Sequence, residues 1–315
     1  MAKIMCVGEL LIDFVCSDVD TTMVEGENFI KKAGGAPANV SASIAKLGGE
    51  SLFVGKVGKD PFGIFLQKSL KEVNVNTDNL IFDENSNTTL AFVSIQSDGE
   101  RDFVFNRGAD ELLKIDEIAK KDLDEAKIIH LGSATALLGG YLRKTYKEIA
   151  KKAREDGKVI FFDPNYRIDL WKNRMGEFIE ESKKMIKFAD FVKLSEEEAE
   201  IISGKNNREK DVREIHNLGA EIVAITLGRN GTFISKNNEN AIIESIKVKP
   251  IDATGAGDAF VGAVLYKIAQ EENWKDMEKL KEIIAFANKV GAIVTTKYGA
   301  ISSLPTEGEV EGYKS

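Results

Sequence analysis

The sequence predicts an α/β fold: a mostly parallel sheet flanked by helices on both faces, with a small antiparallel β lid. Three observations carry this expectation. From residue 127 onward, short apolar runs alternate with segments of helical period, the pattern of a parallel sheet wrapped by its crossover helices. Residues 3–7 read as a buried strand, as expected of a strand covered on both faces. Segments 13–33 and 90–107 break this pattern and read as short antiparallel strands inserted into the α/β body. Residues 1–315 form a single expected domain, with those two segments as its lid.

The elements follow in order. Residues 3–7 are a buried strand that stops at Gly8. Residues 36–47 are a helix, with Pro37 in its first turn and Gly48-Gly49 at its end. A strand over 51–55 and a helix over 62–73 come next. Strands near 90–96 and 101–106 flank Ser97-Asp98-Gly99-Glu100, a hairpin turn signal. The repeating half then places strands at Ile128–Leu131, Val159–Phe162, Phe191–Leu194 and Glu221–Thr226, with helices over 138–155 and 175–187. The charged run Lys205–Arg213 reads as a solvated surface turn. Ligands of such a sheet belong outside the C-terminal strand ends.

Composition excludes several classes. A formal net charge of −8 over 315 residues argues against nucleic acid as a partner, because phosphate backbones are met by basic surfaces. Cys6 and Cys16 are too few for a disulfide framework or a zinc site and read as buried small hydrophobes of a reducing compartment. His130 and His216 stand far apart, outside any metal-ligand spacing. No run approaches the roughly 18 apolar residues of a membrane span. The expected location is the cytoplasm, with no membrane partner.

Two glycine-led helix starts carry the chemistry. In Asp252-Ala253-Thr254-Gly255-Ala256-Gly257-Asp258, the glycines let a ligand approach the backbone, and a helix N-terminus follows. Unpaired N–H groups and the positive dipole end suit a phosphoryl group. Asp258 in the first helical turn can accept a proton. An anion cradle with a base inside it suggests phosphoryl transfer to a hydroxyl. Taken alone, the stretch is equally a helix start with a favourably placed acid. The second start is Ala33-Gly34-Gly35-Ala36-Pro37-Ala38-Asn39. It carries a neutral amide at Asn39 and no lysine, which suits hydroxyl recognition better than phosphate. Asp13 at a strand end can accept bonds from two sugar hydroxyls. The standard nucleotide motifs are absent: no Gly-Lys pair is followed by Ser or Thr, and Gly255-x-Gly257-x-x-Phe260 lacks the third glycine of a dinucleotide fingerprint.

Together these residues resemble the two signatures of the ribokinase-like (PfkB-type) carbohydrate kinases. The likeness extends from Gly8 to about Pro305. Softer stretches are similar to fructokinases: Gly8–Phe14, Phe105–Asp110, Leu131–Ser133, and Asp163–Arg167 followed by Leu170-Trp171. The resemblance implies an ATP-dependent kinase that makes fructose 6-phosphate. It implies Asp258 as base and Gly255, Ala256 and Gly257 as the anion hole. Asp13, Gly34, Gly35 and Asn39 would hold the sugar, with Arg107 and Arg167 near it and the phosphate path. Thr226, Gly228 and Gly231 would line the nucleotide, and Asn288 the adenine. Glu198 would organise Mg²⁺. Ser195 stands where the family has Asn, and Lys193 before it would help neutralise ATP phosphate. Asp252, Thr254, Val294, Gly299 and Ser303 match a monovalent-cation site, so K⁺ is expected. A 2-keto-3-deoxygluconate kinase or ribokinase is the alternative within the family, a non-catalytic sugar- and nucleotide-binding regulator the alternative outside it. A homodimer is left open.

Overall fold

Alternation along the central strands decides the architecture. In the first strand, Ile4 and Cys6 face one side of the sheet and Met5 and Val7 the other, and all four are fully buried. A side chain of this size contributes about 1.5–3 kcal/mol when taken out of water, so such a strand is stable only between two covering layers. The computed structural model describes residues 3–18, 20–95 and 101–313.

The strands are β1 (Ile4–Val7), β2 (Leu11–Cys16), β3 (Phe29–Gly34), β4 (Ser51–Gly58), β5 (Asn76–Asp83), β6 (Leu90–Ile95) and β7 (Arg101–Asn106), then β8 (Ile128–Leu131), β9 (Val159–Phe162), β10 (Phe191–Ser195), β11 (Ile222–Thr226), β12 (Thr232–Lys236) and β13 (Glu239–Ile243). The helices are α1 (Ala36–Lys46), α2 (Pro61–Glu72), α3 (Lys120–Glu125), α4 (Gly140–Glu155), α5 (Ile168–Trp171), α6 (Met175–Ile186), α7 (Glu196–Ser203), α8 (Arg208–Asn217), α9 (Ala256–Ile268), α10 (Met277–Val294) and α11 (Glu307–Gly312).

The large sheet has nine strands in the order β13-β12-β11-β10-β9-β8-β1-β4-β5. Pairing is parallel from β5 through to β11 and antiparallel for β12 and β13. One face packs on α1, α2, α9 and α10 through Val40, Ile44, Leu66, Phe260 and Ile284. The other packs on α4, α6, α7 and α8 through Tyr146, Phe178, Ile202 and Ile215. The chain leaves β1 towards β4 on one side and reaches β8 on the other, so a crevice opens at the C-terminal end of β1. The small sheet has the order β3-β2-β6-β7. Two antiparallel hairpins, β2-β3 and β6-β7, meet along a parallel seam between β2 and β6.

Several expectations need correction or extension. Residues 205–213 are not a turn: α8 starts at Arg208, capped by Asn207, whose side chain accepts the Lys210 N–H at 3.1 Å. Val212 and Ile215 lie one turn apart and are buried, which holds this polar segment helical. Asp211 is buried too, and accepts the Ser203 hydroxyl at 2.6 Å. Cys16 is half-buried rather than buried, and both cysteines are free. The β12-β13 hairpin went unread, although Asn237 and Asn238, at φ 49° and 65°, form the kind of turn that Asn-rich two-residue loops favour. The turn at residues 97–100 lies outside the described residues.

Candidate active site

Helix α9 begins without a side-chain cap. Gly255 holds φ 77°, and a Cβ there would meet the Ala300 Cβ at 2.6 Å, so only glycine makes this turn against the 299–303 segment. The Ala256 N–H reaches the Ala253 carbonyl at 3.2 Å. The N–H groups of Gly257 and Asp258 have no partner among the described residues. Beside them stands Lys193, whose Nζ lies 3.9 Å from where a Cβ on Gly257 would sit. Lys193 is buried and paired with Asp163 at 3.0 Å. Burial pushes the Lys193 ammonium down, but the carboxylates of Asp163, Glu198 and Asp258 outweigh it and hold the group protonated. Two open N–H donors and a buried cation make this a place for an anion.

Asp258 is 9% exposed, and its Oδ2 accepts the Asn39 amide at 2.8 Å. Burial, helped by the Asp163 charge, outweighs the Asn39 bond and the charges of Arg167 and Lys193, and its carboxyl is pushed up to about 6. It is therefore an ionised base at neutral pH, with a pKa near enough to 7 to take up a proton.

Asn39 comes from α1, the second glycine-led helix. Its Oδ1 is buried and has no partner among the described residues, an acceptor left unused on the side chain that holds Asp258. Gly35, at φ 111°, packs its Cα against the Glu9 carbonyl. A Cβ on Gly34 would fall 2.0 Å from Asp13 Oδ2, so the Asp13 carboxylate lies flat against this turn. Burial outweighs the charges of Arg167 and Lys32 and pushes Asp13 up to about 6. The positive charge of Arg167 favours the ionised form of both Asp13 and Asp258. Arg107 stands further off, bonded to Asp110 at 3.3 Å and to the Thr135 carbonyl at 2.9 Å. It lines a separate cavity of about 420 Å³ together with Asn87, Leu90 and Glu111.

Asn39 and Asp258 come from the first turns of α1 and α9, Lys193 from the middle of β10, and Asp13 from within β2 of the small sheet rather than from a strand end as expected. Comparison with known proteins gives them a context. The model of the pfkB family of carbohydrate kinases matches residues 1–307. The chain belongs to that family. It is 40% identical to a fructokinase-1 of Zea mays, over 96% of this chain and 94% of the relative. Among solved structures it is similar to a fructokinase with bound ATP from Xylella fastidiosa, at TM-score 0.89 and 31% identity, covering 98% of this chain and 97% of that one. A fructokinase from Vibrio cholerae in a fructose-, ADP- and calcium-bound form aligns at TM-score 0.88 and 31% identity, over 99% and 98%. As a pfkB carbohydrate kinase, the protein is a phosphotransferase acting on a sugar hydroxyl.

The remaining expected residues of this pfkB kinase fall into two groups. Thr226 ends β11 with its hydroxyl on the Leu194 carbonyl at 3.3 Å, and Gly228 turns just beyond it in open space. Gly231 is a packing glycine, since a Cβ there would lie 2.0 Å from the Ile243 carbonyl. The Asn288 amide is committed to the protein: it accepts the Thr232 hydroxyl at 2.7 Å and donates to the Ile243 carbonyl at 2.8 Å. Ser195 and Glu198 form a capping box on α7, with Glu198 also accepting the Tyr166 N–H at 2.7 Å. The Ser195 hydroxyl is taken up by that box, accepting the Glu198 N–H at 3.1 Å.

Among the described residues no group of three or more His, Cys, Asp or Glu is arranged to hold a metal. The oxygens present suit ions carried by substrate or bound by backbone. Glu198 is a buried carboxylate near Lys193 and Asp163, the hard donor that a largely hydrated Mg²⁺ accepts. Asp252 accepts the Thr254 N–H and hydroxyl at 2.9 and 2.6 Å and the Gly299 N–H at 2.9 Å. This ties the segment before the anion cradle to the one that carries Gly299 and Ser303, whose hydroxyl donates to the Ala300 carbonyl at 2.8 Å. Val294 is fully buried beneath them. Sequence reasoning overlooked Glu9, Asp110 and Asp163. Asp163 follows β9 directly, and that position alone is a signal for it.

Proposed function

We propose that the protein is an ATP-dependent fructokinase that converts fructose to fructose 6-phosphate. The observation that carries this reading is Asp258: a buried carboxylate with a raised pKa, hydrogen-bonded to Asn39, in the first turn of a helix whose N–H groups are open. Asp258 takes the proton of the sugar O6 hydroxyl. O6 bonds to the γ-phosphorus of ATP, the bond to the bridging oxygen breaks, and ADP leaves. The open N–H groups of the Gly255–Gly257 turn and the Lys193 ammonium meet the charge on the transferring group. Asp13, Gly34, Gly35 and the Asn39 carbonyl hold the sugar, with Arg167 between sugar and phosphate. Thr226 and Gly228 face the nucleotide, and Asn288 and Gly231 shape its wall. Mg²⁺, held through Glu198 and water, would neutralise phosphate charge. K⁺ at Asp252, Thr254, Val294, Gly299 and Ser303 would stiffen the cradle. Arg107 favours a neutral sugar over 2-keto-3-deoxygluconate, because its charge is already met by Asp110 and the Thr135 carbonyl.

Residues 1–315 act as one domain, with the small sheet closing over the sugar and excluding water, the competing acceptor. The protein works in the cytoplasm; no helix among the described residues is long and apolar enough to cross a membrane. The test is ADP release from Mg-ATP across a panel of fructose, ribose, glucose and 2-keto-3-deoxygluconate. Fructose should give the highest kcat/KM. If the acidic sugar leads by about tenfold, a difference of 1.4 kcal/mol in transition-state binding, the alternative within the family replaces this one. Absence of ADP with every sugar would favour a binding regulator.

A further inference from the structure

Four chain segments cross between the large sheet and the small one: into β2 after Glu9, out of β3 at Gly34–Ala36, into β6 at Thr89, and out of β7 at Arg107–Gly108. All four are tied to two buried carboxylates. Glu9 is 1% exposed. Its Oε1 accepts the Ala36 N–H at 3.0 Å and the Ala134 N–H at 3.4 Å, and its Oε2 accepts the Ser133 hydroxyl. The Ser133 oxygen takes the Thr135 N–H at 3.1 Å, and the Thr135 hydroxyl donates to Asp110 Oδ2 at 2.7 Å. Asp110, also 1% exposed, accepts the Thr89 hydroxyl on its other oxygen and the Arg107 Nε at 3.3 Å. Thr89 closes the circuit: its hydroxyl oxygen accepts the Gly108 N–H at 2.9 Å, and its carbonyl accepts the Ile12 N–H at 3.1 Å.

We infer that Glu9 and Asp110 are positioning residues for sugar binding, holding the four crossings so that Asp13 and the Gly34–Gly35 turn keep one fixed arrangement. Among the described residues Glu9 has no cation against it, and burying an unpaired carboxylate costs stability that an apolar side chain would not. What the carboxylate provides instead is direction. Its oxygens accept from α1, from the 133–136 segment and, through Ser133 and Thr135, from the feet of β6 and β7. A shift at any one crossing breaks a buried hydrogen bond, so the crossings move together or not at all. Neither acid approaches the nucleotide residues Lys193, Thr226 or Gly228 through this circuit. The inference rests on the sugar assignment above.

Glu9→Gln and Thr89→Val in the full chain test it. Gln keeps the size of Glu9 but turns one acceptor into a donor, and Val keeps the shape of Thr89 but removes the hydroxyl that joins Asp110 to Gly108, so the two variants break the circuit at independent points. The expected result is a fructose KM raised by about tenfold to a hundredfold, the scale of a ~1 Å misplacement. The ATP KM should stay at its wild-type value, and kcat at saturating fructose should change much less than KM. A rise in both KM values together, or a fall in Tm with both KM values unchanged, would show a merely structural role and overturn the inference. Wild-type protein that ignores fructose would sink the substrate assignment alone; the same split read on the sugar that does turn over then decides the positioning role.

Discussion

Helices α1 and α9 start in the same way and end up doing different things. Both follow a glycine at positive φ, both lack a side-chain cap, and their first turns touch through the bond from Asn39 to Asp258. At α1, the protein fills the end itself: a Glu9 carboxyl oxygen takes the Ala36 N–H, and burial pushes that carboxyl up to about 7. At α9, the Gly257 and Asp258 N–H groups are left open, and Lys193 stands beside them. A helix start already neutralised is a neutral surface for hydroxyls, whereas one left open waits for a charge from outside. The two ends thus differ in whether a carboxyl oxygen of the protein occupies the first N–H, and not in the glycines they share.

The strongest way to break this contrast is Asp258→Asn. It keeps the shape of the α9 start and removes the base, so kcat should fall by about 10²–10⁴ with fructose KM little changed. Retention of more than half the wild-type turnover would leave the open helix end without its chemistry. Gly257→Ala sharpens the comparison from the other side. Its φ is ordinary and its nearest neighbour is the Lys193 Nζ at 3.9 Å, so the chain tolerates the methyl. The methyl fills phosphate space instead, and the cost should approach that of one lost oxyanion donor, roughly 10²–10³ in kcat. Normal turnover in this variant would move the phosphoryl group elsewhere.

At the α1 end the matching change is Gly34→Ala. The added Cβ would strike Asp13, and overpacking of this kind costs about 1–3 kcal/mol, which should appear as a raised fructose KM with ATP KM preserved. Equal effects on both substrates would erase the division between the two ends. The pH profile gives a further reading. Asp258 must be ionised to act and carries a pKa of about 6, so kcat/KM should fall about tenfold per pH unit below that value and level off above it. A profile flat down to pH 5 would be incompatible with Asp258 as base. The smallest expected effect is cation choice: potassium buffer should give severalfold higher rates than sodium or tetramethylammonium at equal ionic strength. Identical rates in all three would detach the Asp252 segment from the cradle.

How much of this was legible in the sequence follows from which physics each part depends on. β1, β8, β9 and β10 are apolar runs whose burial on both faces is written in their composition. β5 was missed because Asn76, Asp78 and Asn79 begin it; Asn79 earns its place only by binding Asp122 and Ala119, far away in sequence. Asp258 and Asn39 were readable because each sits just inside a glycine-led helix. Glu9 was not. It lies between Gly8 and Leu10 in an apolar stretch, and its function comes from partners at positions 36, 133 and 134 that no local pattern announces. Lys193 was readable as a charge, but its hold by Asp163 was not.

The bond between Asn39 and Asp258 joins residues 219 positions apart. Synthesis therefore makes the sugar end of this site long before the phosphate end. Until α9 emerges from the ribosome, Val40 and Ile44 of α1 lack the apolar partners that bury them in the finished protein. The nascent chain carries an uncovered hydrophobic face through most of its translation, a period in which holdase chaperones have something to bind. Covering that face and completing the active site are one event, so a chain released early is both inactive and sticky.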